Sequence, residues 1–266
     1  MKIALLTLSQ QGAELLKHLL PSFAGAHLFV HEAVPGDSSG QRFGSIVDLT
    51  REIFERYDGL VFAAPSGVVL RAISPLVKDK HKDPAVLVID VGGRFVISLL
   101  GGHEGGANHL AIRVSNILGA EPVITTTAEA LKPLIVGIGC RRGTEASKIV
   151  SAVKEALRLA GGELSQVRLL ASADVKAEEK GLFLAAEELG VPLRLIHSEE
   201  IRGCVRDFSR SEFVEKEVKM PAVAEPAALL AGRRTKLILP KIIRNGVTVA
   251  VAQESFLWSE SVRGSP

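Results

Sequence analysis

Short apolar runs alternate with amphipathic stretches along the chain, and this alternation constrains the fold more than any other feature. The runs at 2–8, 59–64 and 85–91 are largely apolar, which is typical of strands buried on both faces. The stretch 45–57 instead repeats its apolar residues at helical spacing. Aromatic residues make up only 5% of the chain, so the core must consist mainly of Val, Ile, Leu and Ala. The sequence therefore predicts an α/β fold with mainly parallel sheets flanked by helices.

The alternation occurs twice, which indicates two α/β units. We expect an N-terminal α/β domain at 1–130, a C-terminal α/β domain at 131–254 and a tail at 255–266. A length of 266 residues suits two domains of ordinary size. The connection Thr127–Pro133 is short, so we expect the units to be closely joined, with an inter-domain cleft that could bind a ligand.

Turn signals mark several element boundaries. Gly92-Gly93, between two apolar runs, predicts a hairpin with a two-residue turn, and Asn245-Gly246 predicts another. Thr144 is placed to cap a helix that Gly161-Gly162 ends. The charged segment 206–222 predicts a surface loop.

Charge and cysteine content exclude several classes of protein. A net charge of +2 gives no bulk electrostatic reason to expect nucleic-acid or membrane binding. No run approaches the roughly 18 apolar residues of a membrane span, and Met1–Leu8 is too short for a signal peptide. Cys140 and Cys204 are too few and too far apart for a disulfide scaffold, so we expect a reduced, cytoplasmic setting.

The most informative motif is the run Gly101–Asn108, in which four glycines surround a His–Glu pair between a predicted strand and a predicted helix. Unpaired N–H groups at such a helix start favour anions, and glycines let a ligand approach the main chain. His103 is a candidate general acid or base, and Glu104 could orient it or act as the base itself. Asn108 offers a hydrogen-bond donor and an acceptor. The main-chain contacts expected for a ligand are those of Gly101, Gly102, Gly105 and Gly106.

Two familiar motifs do not fit this run. A zinc-protease helix would need a second His at Ala107, whereas the next histidine is His109. The glycine spacing also does not match a dinucleotide fingerprint. A tight strand-to-helix turn with a solvated His–Glu pair is the structural alternative.

A second junction of the same kind spans Gly137–Gly143. Gly139 allows a sharp turn, and Arg141 and Arg142 precede a predicted helix. Two cations there oppose the helix dipole unless an anion arrives, and arginine suits bidentate carboxylate binding. The alternative is that both arginines point into solvent. Cys140 could be a nucleophile of low pKa, although a packing role is the commoner one.

Weaker candidates lie elsewhere. Ser66 and Gly67 follow an apolar strand and could contact an anion, although Ser66 is not in the Gly-x-Ser-x-Gly elbow of serine hydrolases. Glu225 could cap the last helix or face the cleft, and Lys241 could point into the site or lie on an edge strand. Three more polar residues follow another predicted strand: Ser172, Asp174 and Lys176. They could be a helix cap and its neighbours only.

At these residues the chain resembles the cobalt-precorrin-5A hydrolase family, the CbiG type, of anaerobic cobalamin biosynthesis. Gly-Gly-His-x-Gly-Gly-Ala-Asn followed by Gly-Ile-Gly-Cys-Arg-Arg-Gly is the specific combination, and the resemblance covers roughly residues 55–252. The matching segments are Ala63–Gly67, Asp90–Gly93, Gly101–Asn108, Pro122–Thr126, Gly137–Gly143, Ser172–Leu182 and Val223–Leu229 with Lys241.

The resemblance implies an enzyme that opens a δ-lactone on a cobalt-containing macrocycle. It then expels the C-20 carbon and its methyl group as acetaldehyde, giving cobalt-precorrin-5B. The implied partner is a corrinoid substrate bearing several carboxylates, with other cobalamin-pathway enzymes as further candidates. The cobalt belongs to the substrate, so no cofactor and no protein metal site are expected. The alternatives are a non-catalytic corrinoid carrier of the same pathway and a doubly wound nucleotide-binding enzyme of another.

Three departures from the family pattern stand out. Family members often carry a segment between the two halves, whereas Thr126 and Leu134 are nearly adjacent here. The chain reads Thr126-Thr127-Ala128-Glu129 where the family tends to have Thr-Ala-Thr-Asp, and Ala222 stands where a serine is expected. These changes concern the geometry between the halves more than the activity.

Overall fold

Two units make up the chain in this computed structural model, Met1–Thr126 and Thr127–Pro266. The structure describes residues 1–36, 40–206, 208, 220 and 222–260, with the side chains of 259 and 260 excepted. Each unit holds one sheet with helices on it, so the predicted α/β class with mainly parallel sheets is confirmed. Most of the predicted surface loop at 206–222 lies outside the described residues.

The first unit is built on a seven-stranded sheet in the order β3-β2-β1-β4-β5-β6-β7. Its strands are β1 (Ile3–Thr7), β2 (His27–His31), β3 (Gln41–Phe43), β4 (Gly59–Ala63), β5 (Ala85–Ile89), β6 (Phe95–Leu100) and β7 (Glu121–Val123). Its helices are α1 (Gln10–Lys17), α2 (Ile46–Ile53), α3 (Ser66–Ile73) and α4 (Ala107–Leu118), with a 3-10 turn at Leu20–Ser22.

Strand direction changes once in this sheet. The strands β1 to β5 are parallel, β6 is antiparallel to β5, and β7 is parallel to β6. The carboxyl ends of β6 and β7 therefore lie at the edge where β1, β4 and β5 begin.

Both faces of this sheet are covered, which explains why its central strands are apolar throughout. Ile3 and Leu5 of β1 pack with α1 and α4 on one face. Ala4 and Leu6 point the other way and pack with α2 and α3. The two faces thus form separate clusters of buried side chains.

The second unit is built on a five-stranded sheet in the order β10-β9-β8-β12-β11. Its strands are β8 (Leu134–Cys140), β9 (Val167–Ala173), β10 (Leu193–Ile196), β11 (Thr235–Arg244) and β12 (Val247–Glu254). Its helices are α5 (Thr127–Ala130), α6 (Ala146–Ala160), α7 (Lys180–Leu189), α8 (Ser198–Arg202), α9 (Ala224–Leu230) and α10 (Leu257–Glu260), with 3-10 turns at Leu164–Gln166 and Asp174–Lys176. The first three strands in the sheet order are parallel, and β12 is antiparallel to both of its neighbours.

A glycine brings α9 into backbone contact with this sheet. A Cβ atom at Gly137 of β8 would lie 1.8 Å from the carbonyl oxygen of Ala224, the first residue of α9. Only glycine fits there, because no side-chain movement can relieve a clash with backbone. On the opposite face, α6 and α7 cover β8 with Ile149, Val153 and Leu182.

Two local predictions are wrong and two are confirmed. The β5–β6 hairpin turns over residues 90–94, not two residues, because the Asp90 carboxylate accepts the N–H groups of Arg94 and Phe95 and closes a wider loop. Thr144 does not cap α6, because its hydroxyl donates to the Arg141 carbonyl and the helix begins at Ala146. Gly161 ends α6 at φ +67°, and Asn245-Gly246 forms the predicted turn with φ of +51° and +81°.

Within the described ranges, no helix is long and apolar enough to cross a membrane.

Candidate functional site

The glycine-rich run of the first unit forms a loop closed by its own backbone. Gly101 and Gly106 adopt left-handed φ angles of +71° and +77°. The N–H groups of Ala107 and Asn108 donate to the carbonyls of Gly101 and Gly102, both at 3.0 Å. A Cβ at Gly101 would also lie 3.0 Å from the Pro84 carbonyl oxygen. We name residues 101–106 the glycine loop; its path depends on glycine through both conformation and close approach.

The buried side chain of Asn108 links this region to the rest of the first unit. This side chain is 4% exposed. Its Nδ2 donates to Thr126 Oγ1 at 2.8 Å, and its Oδ1 accepts from Ser98 Oγ at 2.9 Å. The sequence predicts a ligand contact for Asn108, but the structure commits its amide to these internal bonds and gives it a positioning role. Ser98 belongs to no motif and was missed from the sequence, whereas Thr126 was noted only as part of the segment Pro122–Thr126, without this role.

The main-chain donors of the glycine loop are fewer than the sequence suggests. The N–H groups of Ala107 and Asn108, expected to be unpaired at the helix start, are used within the loop, and that of Gly106 donates weakly to His103 O at 3.4 Å. The Glu104 N–H bonds its own carboxylate. Among the hydrogen bonds of the described residues, none uses the N–H groups that remain: Gly101, Gly102, His103 and Gly105.

The imidazole of His103 and the carboxylate of Glu104 are exposed on the glycine loop but are not hydrogen-bonded to each other. Glu104 Oε1 instead accepts from Lys80 Nζ at 3.0 Å. This bond and the bond from its own N–H hold the pKa of Glu104 below its usual range. Glu104 is therefore a carboxylate near neutral pH, and the predicted orienting contact to His103 is absent. Lys80 is a further residue that sequence reasoning missed.

The glycine loop and the Ser66-Gly67 turn lie at opposite ends of the strands in the first sheet. Gly101 and Gly106 approach Pro84 and Met1, which precede β5 and β1. Ser66 and Gly67 are exposed after the carboxyl end of β4. The five residues of β4 put these ends roughly 16 Å apart at about 3.3 Å per residue. The structure does not bring the two predicted contact regions together.

The arginine loop of the second unit, residues 141–145, is held largely by its neighbours. The Gly143 N–H donates to Glu179 Oε2 at 2.9 Å. A Cβ at Gly181 would lie 1.9 Å from Thr144 O, so α7 begins in direct contact with the loop. The predicted turn at Gly139 is wrong: Gly139 lies inside β8, and the left-handed turn residue is Gly143, with φ +72°.

Arg141 and Arg142 are both exposed at the edge where β8 ends. They precede α6 by four or five residues, so neither lies in its first turn. Their exposure fits the predicted anion contact and the solvent-facing alternative alike.

Cys140 is unsuited to act as a nucleophile. Burial raises the pKa of its thiol, and the nearby Lys176 ammonium offsets only part of that rise. The side chain packs against the core of the second unit. The packing role favoured from the sequence is the one the structure supports.

Glu225 and Lys241 meet at a strand irregularity rather than in an open site. Glu225 is 1% exposed, and its Oε1 accepts the backbone N–H of Lys241 at 2.9 Å. Lys241 and Pro240 form a β-bulge, because Leu239 pairs with Val251 and Ile242 with Val249. The Glu225 carboxylate stabilises the bulge in this way, and its predicted ligand role stays a prediction. Lys241 is half-buried on the edge strand β11, and its predicted ligand role stays a prediction.

No group of three His, Cys, Asp or Glu side chains within the described parts of the chain is arranged to hold a metal ion.

Two family models match the chain, one in each unit. The model described as "Cobalamin synthesis G N-terminal" matches residues 48–129, and "Cobalamin synthesis G C-terminus" matches residues 134–252. The matches include the glycine loop and the arginine loop, respectively.

Three relatives show how the similarity is distributed. A cobalt-precorrin-5A hydrolase of Salmonella typhimurium is 41% identical over 132 residues, which cover 48% of this chain and 36% of that protein. A cobalt-precorrin-5A hydrolase of Priestia megaterium is 25% identical over 352 residues, covering 94% of each chain. Protein CobE of Sinorhizobium sp is 35% identical over 136 residues, covering 50% of this chain and 88% of that protein.

These alignments bear on the missing middle segment. The 352 aligned positions of the Priestia protein exceed the 266 residues here, so that relative carries residues with no counterpart in this chain. The Salmonella match spans little more than a third of that relative's length. With both models matched in order along 48–129 and 134–252, the chain belongs to the CbiG family of cobalamin synthesis proteins.

Proposed function

We propose that this protein is a cobalt-precorrin-5A hydrolase, which opens the δ-lactone of its substrate and releases acetaldehyde to give cobalt-precorrin-5B. Both family regions occur in this one chain, whose alignment covers 94% of the Priestia enzyme, whereas CobE matches only half of the chain. This pairing of the two regions carries the proposal. The substrate is a corrinoid, and its cobalt requires no ligand from the protein.

His103 is the general base that activates water for attack on the lactone carbonyl. Its imidazole is exposed on a loop whose backbone is fixed by the hydrogen bonds to Gly101 and Gly102. An imidazole can both accept and donate a proton, as acid–base catalysis requires. Glu104 is the poorer base, because its contact with Lys80 lowers its pKa.

The developing oxyanion is stabilised by main-chain donors of the glycine loop. The N–H groups of Gly101, Gly102, His103 and Gly105 make no hydrogen bond to the described residues. Fixed donors of this kind need little reorganisation during the reaction, which makes them effective for a charge that forms only in the transition state.

Peripheral carboxylates of the substrate are held by Arg141 and Arg142. Both side chains are exposed, and a guanidinium matches a carboxylate with two parallel hydrogen bonds. Ser66 and Gly67 contact the ligand only if it reaches the opposite edge of the first sheet. Gly139 adds space beside the arginine loop, since a Cβ there would meet nothing closer than 3.5 Å.

We place the protein in the cytoplasm. Cys140 and Cys204 form no disulfide, which is consistent with a reducing compartment.

The decisive experiment is anaerobic incubation of the purified protein with cobalt-precorrin-5A, followed by measurement of acetaldehyde and corrinoid mass. Stoichiometric acetaldehyde with the matching loss of product mass is expected. Corrinoid binding without acetaldehyde would replace the hydrolase with a carrier, and the absence of binding would refute both.

A further inference from the structure

Among the described residues, Lys176 forms one ion pair, with Glu179, and that pair is loose. Its side chain is 15% exposed, and its closest carboxylate oxygen, Glu179 Oε1, is 3.8 Å away. That separation is beyond hydrogen-bond distance, although an ammonium has three donor hydrogens. Within the described part of the chain, no hydrogen bond uses Lys176 Nζ. A cation largely withdrawn from water in this way is costly unless an anion approaches it.

Glu179 is already engaged elsewhere. Its side chain is 12% exposed, and its second oxygen, Oε2, accepts the Gly143 N–H at 2.9 Å. The Glu179 carboxylate therefore hydrogen-bonds to the arginine loop but makes no hydrogen bond to Lys176.

Two further acids lie near Lys176 in sequence: Glu178, which is exposed, and Asp174, which serves another strand. Asp174 Oδ1 accepts from Ser198 Oγ, and its Oδ2 lies 3.6 Å from His197 Nε2. Ser198 and His197 follow β10, so the Asp174 carboxylate stabilises the junction of β9 with β10.

Lys176 and the arginine loop lie at the same edge of the second sheet. Lys176 follows β9, whereas Arg141 and Arg142 follow β8, its parallel neighbour. The carboxyl ends of adjacent parallel strands are about 4.8 Å apart. Lys176 is also close enough to influence Cys140, the last residue of β8. Three cations thus meet at one edge.

We propose that this edge is a carboxylate-binding site, with Lys176 as its inner cation and Arg141 and Arg142 at its rim. Identifying the ligand as a corrinoid side chain rests on the proposed function, whereas the site itself rests on the placement of Lys176. Glu179 is a positioning residue that holds the rim through Gly143.

Two corrins that differ only in charge test the site. Cobyrinic acid has free peripheral carboxylates, and its fully amidated analogue has none. We expect the protein to bind the acid more tightly than the amide. Lys176→Met should weaken binding of the acid at least about tenfold and leave binding of the amide unchanged, because it removes one charged contact. Lys176→Arg should restore most of the preference.

Lys154→Met is the matched control. Lys154 is exposed on α6, about 12 Å along the helix from its first residue at 1.5 Å per residue. Binding of cobyrinic acid should not change in that variant. Equal affinity for acid and amide in the unmodified protein, or wild-type affinity in Lys176→Met, would overturn the site.

Alkylation of Cys140 gives a second readout in a Cys204→Ser background. Lys176→Met should slow the reaction with iodoacetamide, because a nearby cation favours the thiolate. Cobyrinic acid at a concentration near its Kd for the Lys176 protein should slow the reaction there and slow it much less in Lys176→Met. Equal slowing in both proteins would place the corrin elsewhere.

The acetaldehyde assay separates this inference from the proposed function. Lys176-dependent binding of cobyrinic acid without acetaldehyde release from cobalt-precorrin-5A would leave the site standing and reject the hydrolase. Acetaldehyde release with an unchanged KM in Lys176→Met would support the hydrolase and reject the Lys176 site.

Discussion

The glycine loop and the arginine loop are both strand-to-helix connections, yet they are held in different ways. The glycine loop is closed by its own backbone, with Ala107 and Asn108 donating to Gly101 and Gly102. The arginine loop depends on a carboxylate from elsewhere in its unit, Glu179, which accepts the N–H of Gly143.

The conformation of the glycine loop is therefore fixed by steric contacts, whereas that of the arginine loop depends on a charged side chain. Close approach to Pro84 leaves no room for a side chain at Gly101, whereas Gly143 has no atom within 4 Å of its Cβ position. A sterically fixed loop suits a group that must be positioned within a fraction of an ångström for chemistry. A loop held by a hydrogen bond to a carboxylate and by its own turn at Thr144 suits side chains that bind a carboxylate over a wider range of positions.

Matched glycine substitutions should give the largest contrast. Gly101→Ala should lower the free energy of unfolding by about 2–4 kcal/mol, combining left-handed strain with a backbone clash. Gly143→Ala meets only the strain, so its loss should be about 1–2 kcal/mol. Urea denaturation measures both, and equal losses would mean that the glycine loop can move away from Pro84.

Removing the imidazole tests the chemical role of the glycine loop. His103→Ala should lower kcat for acetaldehyde release at least ~100-fold if the imidazole is the acid–base group. His109→Ala is the control, since His109 is exposed in the first turn of α4. Near-normal turnover in His103→Ala would transfer the role to another residue.

Removing the two guanidinium groups tests the binding role of the arginine loop. The double substitution Arg141→Ala and Arg142→Ala should raise KM about tenfold and change kcat little, because the contacts exist equally in ground and transition states. Arg158→Ala, in an exposed ion pair with Glu155 near the other end of α6, should change neither. A fall in kcat at constant KM would contradict a purely binding role.

The smallest effect concerns Glu104. Lys80→Met should return the pKa of Glu104 toward its usual value, which an NMR titration of the carboxyl carbon would detect. A lowered folded-state pKa stabilises the protein above the usual pKa, and this stability is lost as the pH falls through the lowered pKa. The variant should therefore lose less stability across that acidic window. Lys78→Met, which breaks the ion pair with Glu55, should leave the Glu104 titration unchanged.

Local patterns predicted most of the elements, because burial on both sheet faces imposes apolar runs that can be recognised in sequence. Because β6 runs antiparallel to β4, the glycine loop and Ser66 lie at opposite ends of the strands. The local sequence around either one does not reveal this strand direction. The contacts that fix the loops join residues far apart, as in Gly143 with Glu179, and have no local signature.

One missed feature did have a signal. Pro240 and Lys241 interrupt an otherwise apolar strand, and a proline inside a strand indicates an edge or a bulge. The buried carboxylate of Glu225 that accepts the Lys241 N–H could not be foreseen, because α9 and β11 meet only in the folded unit.

The bond from Asn108 to Thr126 has a mechanical consequence. Thr126 is the residue at which the first unit ends, and a Cβ at Gly102 would lie only 2.5 Å from its methyl group. Its hydroxyl group thus accepts a hydrogen bond from Asn108, while its methyl group lies against Gly102 of the glycine loop. A shift of Thr126 would therefore move the backbone beside His103, because Gly102 lies against the methyl group of Thr126 and Asn108 is bonded to its hydroxyl.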